Sequence, residues 1–152
     1  MKNQIKNNNR FSALCLLMLG IYLQAVEWID MFPWNNVKNG NGQETMDLLL
    51  AVGFVILIVW LWVGRKLAAF ITSLALSFWL WLQIQTWWIP YFNGATDHWE
   101  RVYLNWFSET TQFMQVTENH YPPDANHLLL QALIVLCLLS NIRALTLKKK
   151  RY

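Results

Sequence analysis

Charged residues are scarce in this chain of 152 residues: only 14% are charged, whereas 55% are hydrophobic. Soluble globular domains carry about 25% charged residues, so this composition excludes an ordinary soluble fold. The length also leaves little room for a second domain. We therefore expect one integral membrane domain over residues 1–152, with the lipid bilayer as its main partner. The net charge of +3 does not indicate a nucleic-acid partner.

Cysteines and catalytic motifs are also sparse. Cys15 and Cys137 both fall in apolar runs and form no C-x-x-C pair, which predicts buried free thiols rather than a disulfide framework. The sequence contains no G-x-S-x-G, H-E-x-x-H, P-loop or G-x-G-x-x-G motif. We therefore predict a non-enzymatic protein without cofactor. Acid–base chemistry by Glu27 and His127 is an open alternative, because a membrane enzyme needs only two well-placed groups.

Long apolar runs are what the sequence does contain. A membrane-spanning helix needs roughly 20 apolar residues, and an open strand in lipid would leave its backbone amides unpaired. The sequence therefore predicts an all-α, four-transmembrane-helix bundle, with spans at residues 11–29, 48–64, 67–89 and 127–147. The first run has one competing interpretation, a cleaved signal peptide over residues 1–25, because basic residues precede it and Ala25 closes a Leu-x-Ala site.

The charged residues are sorted by the predicted spans. All nine acidic residues fall at one set of span ends and ten of the twelve basic residues at the other. Because Lys and Arg mark cytoplasmic loops, both termini are predicted to be cytoplasmic, in a multi-pass protein of a bacterial inner membrane. Only Lys38 and Arg101 lie on the opposite, outer side. The predicted cytoplasmic residues are Lys2, Lys6, Arg10, Arg65, Lys66, Arg143, Lys148, Lys149, Lys150 and Arg151.

Aromatic residues recur with helical spacing in the long outer connection. Their i, i+3, i+4, i+7 pattern predicts an amphipathic interfacial helix over residues 96–114, with Thr96 as its N-cap. The acidic residues of the opposite face disfavour anionic lipid, so we expect the helix to cover the bundle as a lid, with a position on the lipid surface as the alternative. A partner-protein interface is the functional interpretation of the same stripe. The candidate partner-binding residues are Trp99, Tyr103, Trp106 and Phe107.

Polar residues near the outer ends of three spans form a second candidate site. Polar side chains are costly in lipid and are expected to turn inward, where they would meet in one layer. The layer could be structural, through interhelical hydrogen bonds, or a small outward-facing pocket that binds, transports or converts a ligand. A pairing of Glu27 with His127 would make such a pocket sensitive to pH. The candidate ligand-binding residues are Gln24, Glu27, Gln83, His127 and Gln131.

Three carboxylate–imidazole neighbours raise a metal hypothesis, but their spacings match no established ligand motif, so no metal site is predicted. They are His98 with Glu100, Glu118 with His120, and Asp124 with His127. Asp124 or Asn126 is also expected to cap the start of the fourth span.

The block Trp87-Trp88-Ile89-Pro90-Tyr91-Phe92-Asn93-Gly94-Ala95-Thr96, with Trp99 after it, precedes the later run Pro123-Asp124-Ala125-Asn126-His127. Together these segments, within residues 87–135, resemble an uncharacterised family of small four-span bacterial membrane proteins. The family's outer helix ends in a Phe-Leu-Pro-like turn, from which Phe113-Met114-Gln115 departs. The resemblance implies the topology above and no particular activity.

These observations lead to two functional expectations. The first is a non-enzymatic binding or accessory protein that acts through its aromatic outer face on a membrane or extracytoplasmic protein. The second is a pocket protein that uses the polar layer. A homo-oligomer is compatible with both, since Trp60, Trp62, Trp79 and Trp81 lie deep in the spans, where they could fill gaps between helices or line a contact between copies.

Overall fold

The computed structural model of this protein describes the backbone of residues 2–37 and 44–146 and the side chains of residues 6–37 and 48–146. Its described part is helical and contains no strand. The basic tail from Lys148 to Arg151 and the basic residue Lys38 lie outside the described residues. The helices are α1 (Lys2–Trp28), α2 (Glu44–Val63), α3 (Lys66–Gln83), α4 (Ile89–Asn93), α5 (Asp97–Trp106) and α6 (Ala125–Thr146), and a π-helical turn (Ile84–Trp88) joins α3 to α4.

Three helical stretches are long and apolar enough to cross a membrane: Lys6–Trp28, Lys66–Asn93 and Ala125–Thr146. The prediction of an all-helical membrane protein is confirmed at this level. In α2, the apolar stretch with described side chains is the shorter Leu48–Val63. The Lys66–Asn93 helix continues past Ile89, where the sequence predicted its end. Pro90 follows directly on the π-helical turn Ile84–Trp88, and its missing backbone N–H interrupts the helical hydrogen-bond ladder at that point.

The core of the bundle forms where α6 packs against α1 and α3, and where α2 packs against α1. Its fully buried side chains include Leu16, Leu19, Leu61 and Ile134. Both thiols, Cys15 and Cys137, are buried and free, as predicted. Many large apolar side chains point outward, which suits helices whose outer faces contact lipid. Of the four deep tryptophans, Trp60 and Trp79 pack against the core, whereas Trp62 and Trp81 are exposed.

Charge distinguishes the two ends of this bundle. At the basic end, α1 begins, α2 turns into α3 and α6 finishes. At the opposite end, the aromatic end, α1 and the continuous stretch Lys66–Asn93 end, α6 begins, and residues 95–124 pack over the helix ends. The exposed basic residues of the basic end are Lys6, Arg65, Lys66 and Arg143.

The turn between α2 and α3 depends on Gly64, whose φ of 88° lies in the left-handed region. A side chain at that φ is strained, so we expect Gly64→Ala to lower the free energy of unfolding by about 1 kcal/mol. The matched control is Gly53→Ala in α2, where an added Cβ meets no atom within 4 Å. Alanine favours a helix by about 0.5–1 kcal/mol over glycine, so this control should not destabilise the protein. Thermal unfolding in detergent measures both changes, and a Gly64→Ala variant as stable as the control would contradict the prediction.

Candidate functional site

The helix α5 begins as the sequence predicts and ends earlier. Thr96 is its N-cap, with its hydroxyl accepting a hydrogen bond from the Trp99 backbone N–H at 3.3 Å. The helix ends at Trp106 rather than at the predicted Met114. Tertiary contacts explain the early end, because the Thr111 backbone N–H donates to the carbonyl of Pro33 at 2.8 Å and holds this segment near α1.

The aromatic end has its own core, centred on the indole of Trp87, which is 2% exposed. Rings of α5 and of the following turn contact it edge-on: Trp99 at 5.2 Å and Phe107 at 4.9 Å between ring centroids. Tyr103 and Tyr121 complete the cluster, with their centroids 4.7 Å apart. We call residues 95–124, folded over Trp87, the cap. Edge-to-face aromatic pairs contribute about 0.5–1.5 kcal/mol beyond burial, so this packing holds α5 firmly against the end of the bundle.

A buried carboxylate lies beneath the cap. Asp124 is 1% exposed and caps α6, since its Oδ1 accepts from the His127 backbone N–H at 2.9 Å. The same oxygen lies 2.7 Å from His127 Nδ1, and Oδ2 accepts from the Thr110 hydroxyl at 2.9 Å. The His127 ring stacks obliquely on Trp87 at 4.2 Å. Asp124 therefore fixes the orientation of the imidazole and joins the cap to α6, as a buried carboxylate must be hydrogen-bonded.

The segment after α1 is tied to the same region. Asn35, 4% exposed, donates to the carbonyl oxygen of Ile29 at 2.9 Å and accepts from the Met31 backbone N–H. The Trp34 indole donates to Tyr22, whose hydroxyl donates to Asn126 Oδ1 at 2.6 Å. These bonds link α1 to the start of α6, so the aromatic end is one connected structure.

The five predicted ligand-binding residues do not form one site in the structure, since they make several separate contacts. Gln83 and Gln131 are brought together, with Gln131 donating to Gln83 at 3.3 Å and accepting from the Trp88 indole at 2.9 Å. Gln24 instead accepts from the Trp28 indole of its own helix. His127 is bonded to Asp124. The fifth residue, Glu27, is exposed at the end of α1.

The four predicted partner-binding residues also differ in exposure and do not form one surface. Tyr103 is 1% exposed, and Trp99 and Phe107 are partly buried against Trp87, so three of the four rings face inward. Trp106 remains 40% exposed. Two of the inward-facing polar atoms, Trp99 Nε1 and the Tyr103 hydroxyl, are buried and have no hydrogen-bond partner among the described residues. The cap therefore combines an aromatic interior with two unused hydrogen-bond donors.

The pKa values of two tyrosines of the cap, Tyr103 and Tyr121, are raised. The hydrogen bond to Glu100 at 2.5 Å raises the pKa of Tyr121, because the phenol proton is shared with a carboxylate. Burial, with smaller contributions from Asp124 and Tyr121, raises the pKa of Tyr103 from 10.0 to about 12. The ionised phenolate would be poorly solvated and close to a negative charge.

We expect the tyrosinate absorbance of the native protein, minus that of Tyr103→Phe, to titrate near pH 12 rather than pH 10. Since the folded-state pKa lies above the unfolded value, the contribution to stability is complete below pH 10 and is lost as the pH approaches 12. The Tyr91→Phe variant serves as the control for removing a tyrosine. A difference titration centred near pH 10 would show that Tyr103 is solvated.

Two histidines of the aromatic end have structural partners. His127 is bonded to Asp124, and His120 Nδ1 lies 2.7 Å from the Tyr91 carbonyl, which ties the returning chain to α4. Within the described residues, no group of three or more His, Cys, Asp or Glu could hold a metal ion. Asp124 was predicted, with Asn126 as the alternative, to cap the start of the fourth span, and Asp124 is the residue that does so. Trp87 and Thr110 were missed as site residues, because only the folded chain brings Thr110 to Asp124.

Comparison of the chain with protein-family models, with curated proteins and with solved structures finds no match in any of the three.

Proposed function

We propose that the protein is a four-span membrane protein of a bacterial inner membrane, with both termini in the cytoplasm and the cap outside. Leu48–Val63 supplies the fourth span beside the three longer ones. The exposed Lys and Arg residues of the basic end support the orientation. The family resemblance within residues 87–135 agrees with this topology.

Cysteine labelling in intact cells tests the orientation. With Cys15 and Cys137 replaced by alanine, a cysteine at exposed Gln115 in the cap should react with a membrane-impermeant maleimide before the membrane is opened. A cysteine at exposed Arg65 should react only afterwards. Equal labelling of both positions in intact cells would exclude this topology.

For its role, we propose a non-enzymatic binding or accessory protein that docks a partner protein on the cap. One observation carries this proposal: the cap buries its inward-facing rings yet leaves Phe113 69%, Leu104 51% and Trp106 40% exposed. Exposed apolar side chains on a rigid element are typical of protein-binding surfaces.

The charge of the cap favours a protein partner over lipid. The first turn of α5 contains Asp97 and Glu100, and Glu109 follows the helix, whereas Arg101 is the basic residue between them. Helices that bind anionic lipid carry Lys and Arg on their polar face. The partner that fits is a protein surface with an apolar patch bordered by basic side chains.

Photocrosslinking tests the docking role. A photoreactive residue at Phe113 should yield a protein adduct in membranes, and Trp106→Ala in the same chain should remove that adduct while leaving the melting temperature unchanged. The control is a photoreactive residue at Phe78, which is 60% exposed on α3 and should yield lipid adducts. Lipid adducts alone at both positions would refute docking.

A second candidate function is suggested by the unused donors under the cap. Trp99 Nε1 and the Tyr103 hydroxyl belong to the same aromatic cluster as Trp87, which contacts His127. A pocket protein would bind, transport or convert a small hydrogen-bonding ligand here and in the adjoining polar layer. Tyr103→Phe removes one unused donor and keeps the buried ring, so it should abolish that function and leave docking at Trp106 intact, whereas Trp106→Ala should have the opposite effect.

A further inference from the structure

The basic end of the bundle contains buried polar side chains that neither the cap nor the proposed docking role uses. Asn9 and Ser12 of α1, Thr72 of α3 and Asn141 of α6 are each 0% exposed. All four lie on the faces that these helices otherwise use for apolar core residues such as Leu16 and Ile134. This group could not be predicted from the sequence, because single Ser, Thr and Asn residues near span ends are common and the spacing along each helix shows no polar stripe.

Hydrogen bonds at the aromatic end fix the level of these four residues. Tyr22 of α1 meets Asn126 of α6, and Gln83 of α3 meets Gln131 of α6. Because both neighbours run antiparallel to α6, counting toward the basic end at about 1.5 Å per residue brings Asn9 and Thr72 to within about one turn of Asn141. Ser12 lies one turn above Asn9 on the same face. By the same count Ser12 and Thr72 differ in depth by about 9 Å, so the four side chains occupy a zone of about two helical turns on the core-facing sides of α1, α3 and α6. We call this zone the basic-end layer.

Most polar atoms of this layer have no partner in the described part of the protein. They are Asn9 Oδ1 and Nδ2, Ser12 Oγ, Thr72 Oγ1 and Asn141 Oδ1. The Asn141 amide nitrogen is used, since Nδ2 donates to the Cys137 carbonyl at 2.9 Å. A buried polar atom left without a partner costs about 1–3 kcal/mol, so several in one layer require something that bonds to them.

The hydrogen-bond donors and acceptors of this layer indicate which kind of ligand it can bind. It offers amide oxygens that only accept, an amide nitrogen that only donates, and hydroxyls that do both. A cation would find no carboxylate here and is disfavoured by the basic residues around this end. An anion would be repelled by the amide oxygens of Asn9 and Asn141. Water both donates and accepts, and buried waters make about three hydrogen bonds each to such groups.

We propose that Asn9, Ser12, Thr72 and Asn141 form a binding site for ordered water inside the basic end of the bundle. The water bridges α1, α3 and α6 where direct side-chain bonds between them are not formed. The site fixes the relative position of these helices without a charged residue. It is independent of the docking role, since it lies at the opposite end of the protein from the cap.

Radiolytic labelling in isotopically enriched water tests the site, using the full chain in detergent. Hydroxyl radicals formed from bound water oxidise adjacent side chains even where bulk water has no access. Cys137 is the reporter, because it is 0% exposed and its carbonyl is bonded by Ser140 and Asn141 of the same turn. Cys15 is replaced by alanine so that a single thiol is read.

We expect Cys137 of the otherwise native chain to be labelled about tenfold faster than the same thiol in a chain whose layer has lost its polar atoms, because bound water lies within a turn of Cys137. Equally slow labelling of this thiol in the two chains would overturn the proposal.

The comparison chain removes the polar atoms and so shows whether the label comes from water in this layer. It combines the Cys137 reporter with four substitutions, Asn9→Leu, Ser12→Ala, Thr72→Val and Asn141→Leu, and its thiol should be labelled about tenfold more slowly. Circular dichroism establishes that the variant remains helical. If a helical variant is labelled as fast as the native chain, the water lies elsewhere and the assignment is wrong.

Discussion

Replacing Asp124 with alanine is expected to lower the free energy of unfolding by about 3 kcal/mol. The variant loses the N-cap of α6, which contributes about 1 kcal/mol. It also removes the carboxylate that bonds the Thr110 hydroxyl, which keeps its bond to the Phe107 carbonyl, and Nδ1 of the partly buried His127. Each such loss costs about 1–3 kcal/mol, reduced where solvent can enter.

Thermal unfolding in detergent, followed by tryptophan fluorescence, measures this effect. Asp124→Asn separates its causes, because asparagine caps a helix as well as aspartate does and should restore part of the loss. Glu109→Ala is the matched control, since it removes an exposed carboxylate from the cap and should change stability by less than about 0.5 kcal/mol. If Asp124→Ala has the same melting temperature as Glu109→Ala, the buried carboxylate does not join the cap to α6.

Trp87→Ala is expected to destabilise the protein by about 3–5 kcal/mol, the range for removing a buried aromatic ring. The indole is 2% exposed and contacts the rings of Trp99, Phe107 and His127. Its loss would leave a cavity at the centre of the cap. The cap should then separate from the spans before they unfold, because the main core cluster of the spans is distinct from the cluster around Trp87.

Limited proteolysis of the cap and thermal unfolding together detect this result. Trp106→Ala is the control of the same residue type, because its indole is 40% exposed and its loss should leave the melting temperature nearly unchanged. Protease should cut the cap of the Trp87 variant rapidly and leave the cap of the control intact. A Trp87 variant with native resistance to protease would contradict the role of Trp87 as the centre of the cap.

The same pair of variants separates stability from docking. Trp87→Ala should weaken partner binding only by loosening the whole cap, so both the melting temperature and the crosslink at Phe113 should fall. Trp106→Ala should reduce the crosslink alone. Loss of the crosslink without loss of stability is therefore the result that identifies a contact residue.

Much of the fold could be predicted because the strongest constraint acts locally. Apolar runs of the required length must form helices in lipid, whatever their neighbours are. The starts of α5 and α6 also followed from local rules, since Thr96 and Asp124 each meet a backbone N–H three residues later. The end of α5 did not follow, because the bond between Thr111 and Pro33 connects segments far apart in the sequence.

In the candidate sites, too, some contacts could be predicted from the sequence and others depend on the folded structure. Gln83 and Gln131 were expected to meet and do so, because polar groups at one depth in neighbouring spans have few other partners. The helical spacing of the aromatic residues predicts that they share one face of α5. The spacing does not determine what that face contacts. Burial of Tyr103 against Trp87 decides that they face inward.

The amino-acid sequence alone determined that the protein is helical, is embedded in a membrane and carries an aromatic helix between its third and fourth apolar runs, since length, hydropathy and period are properties of single segments. Tertiary structure alone decided that Thr110 and His127 share Asp124, that Trp87 is the centre of the cap, and that four polar side chains form a layer at the basic end. These contacts depend on helix register and on the path of the returning chain, which arise from the packing of all segments together.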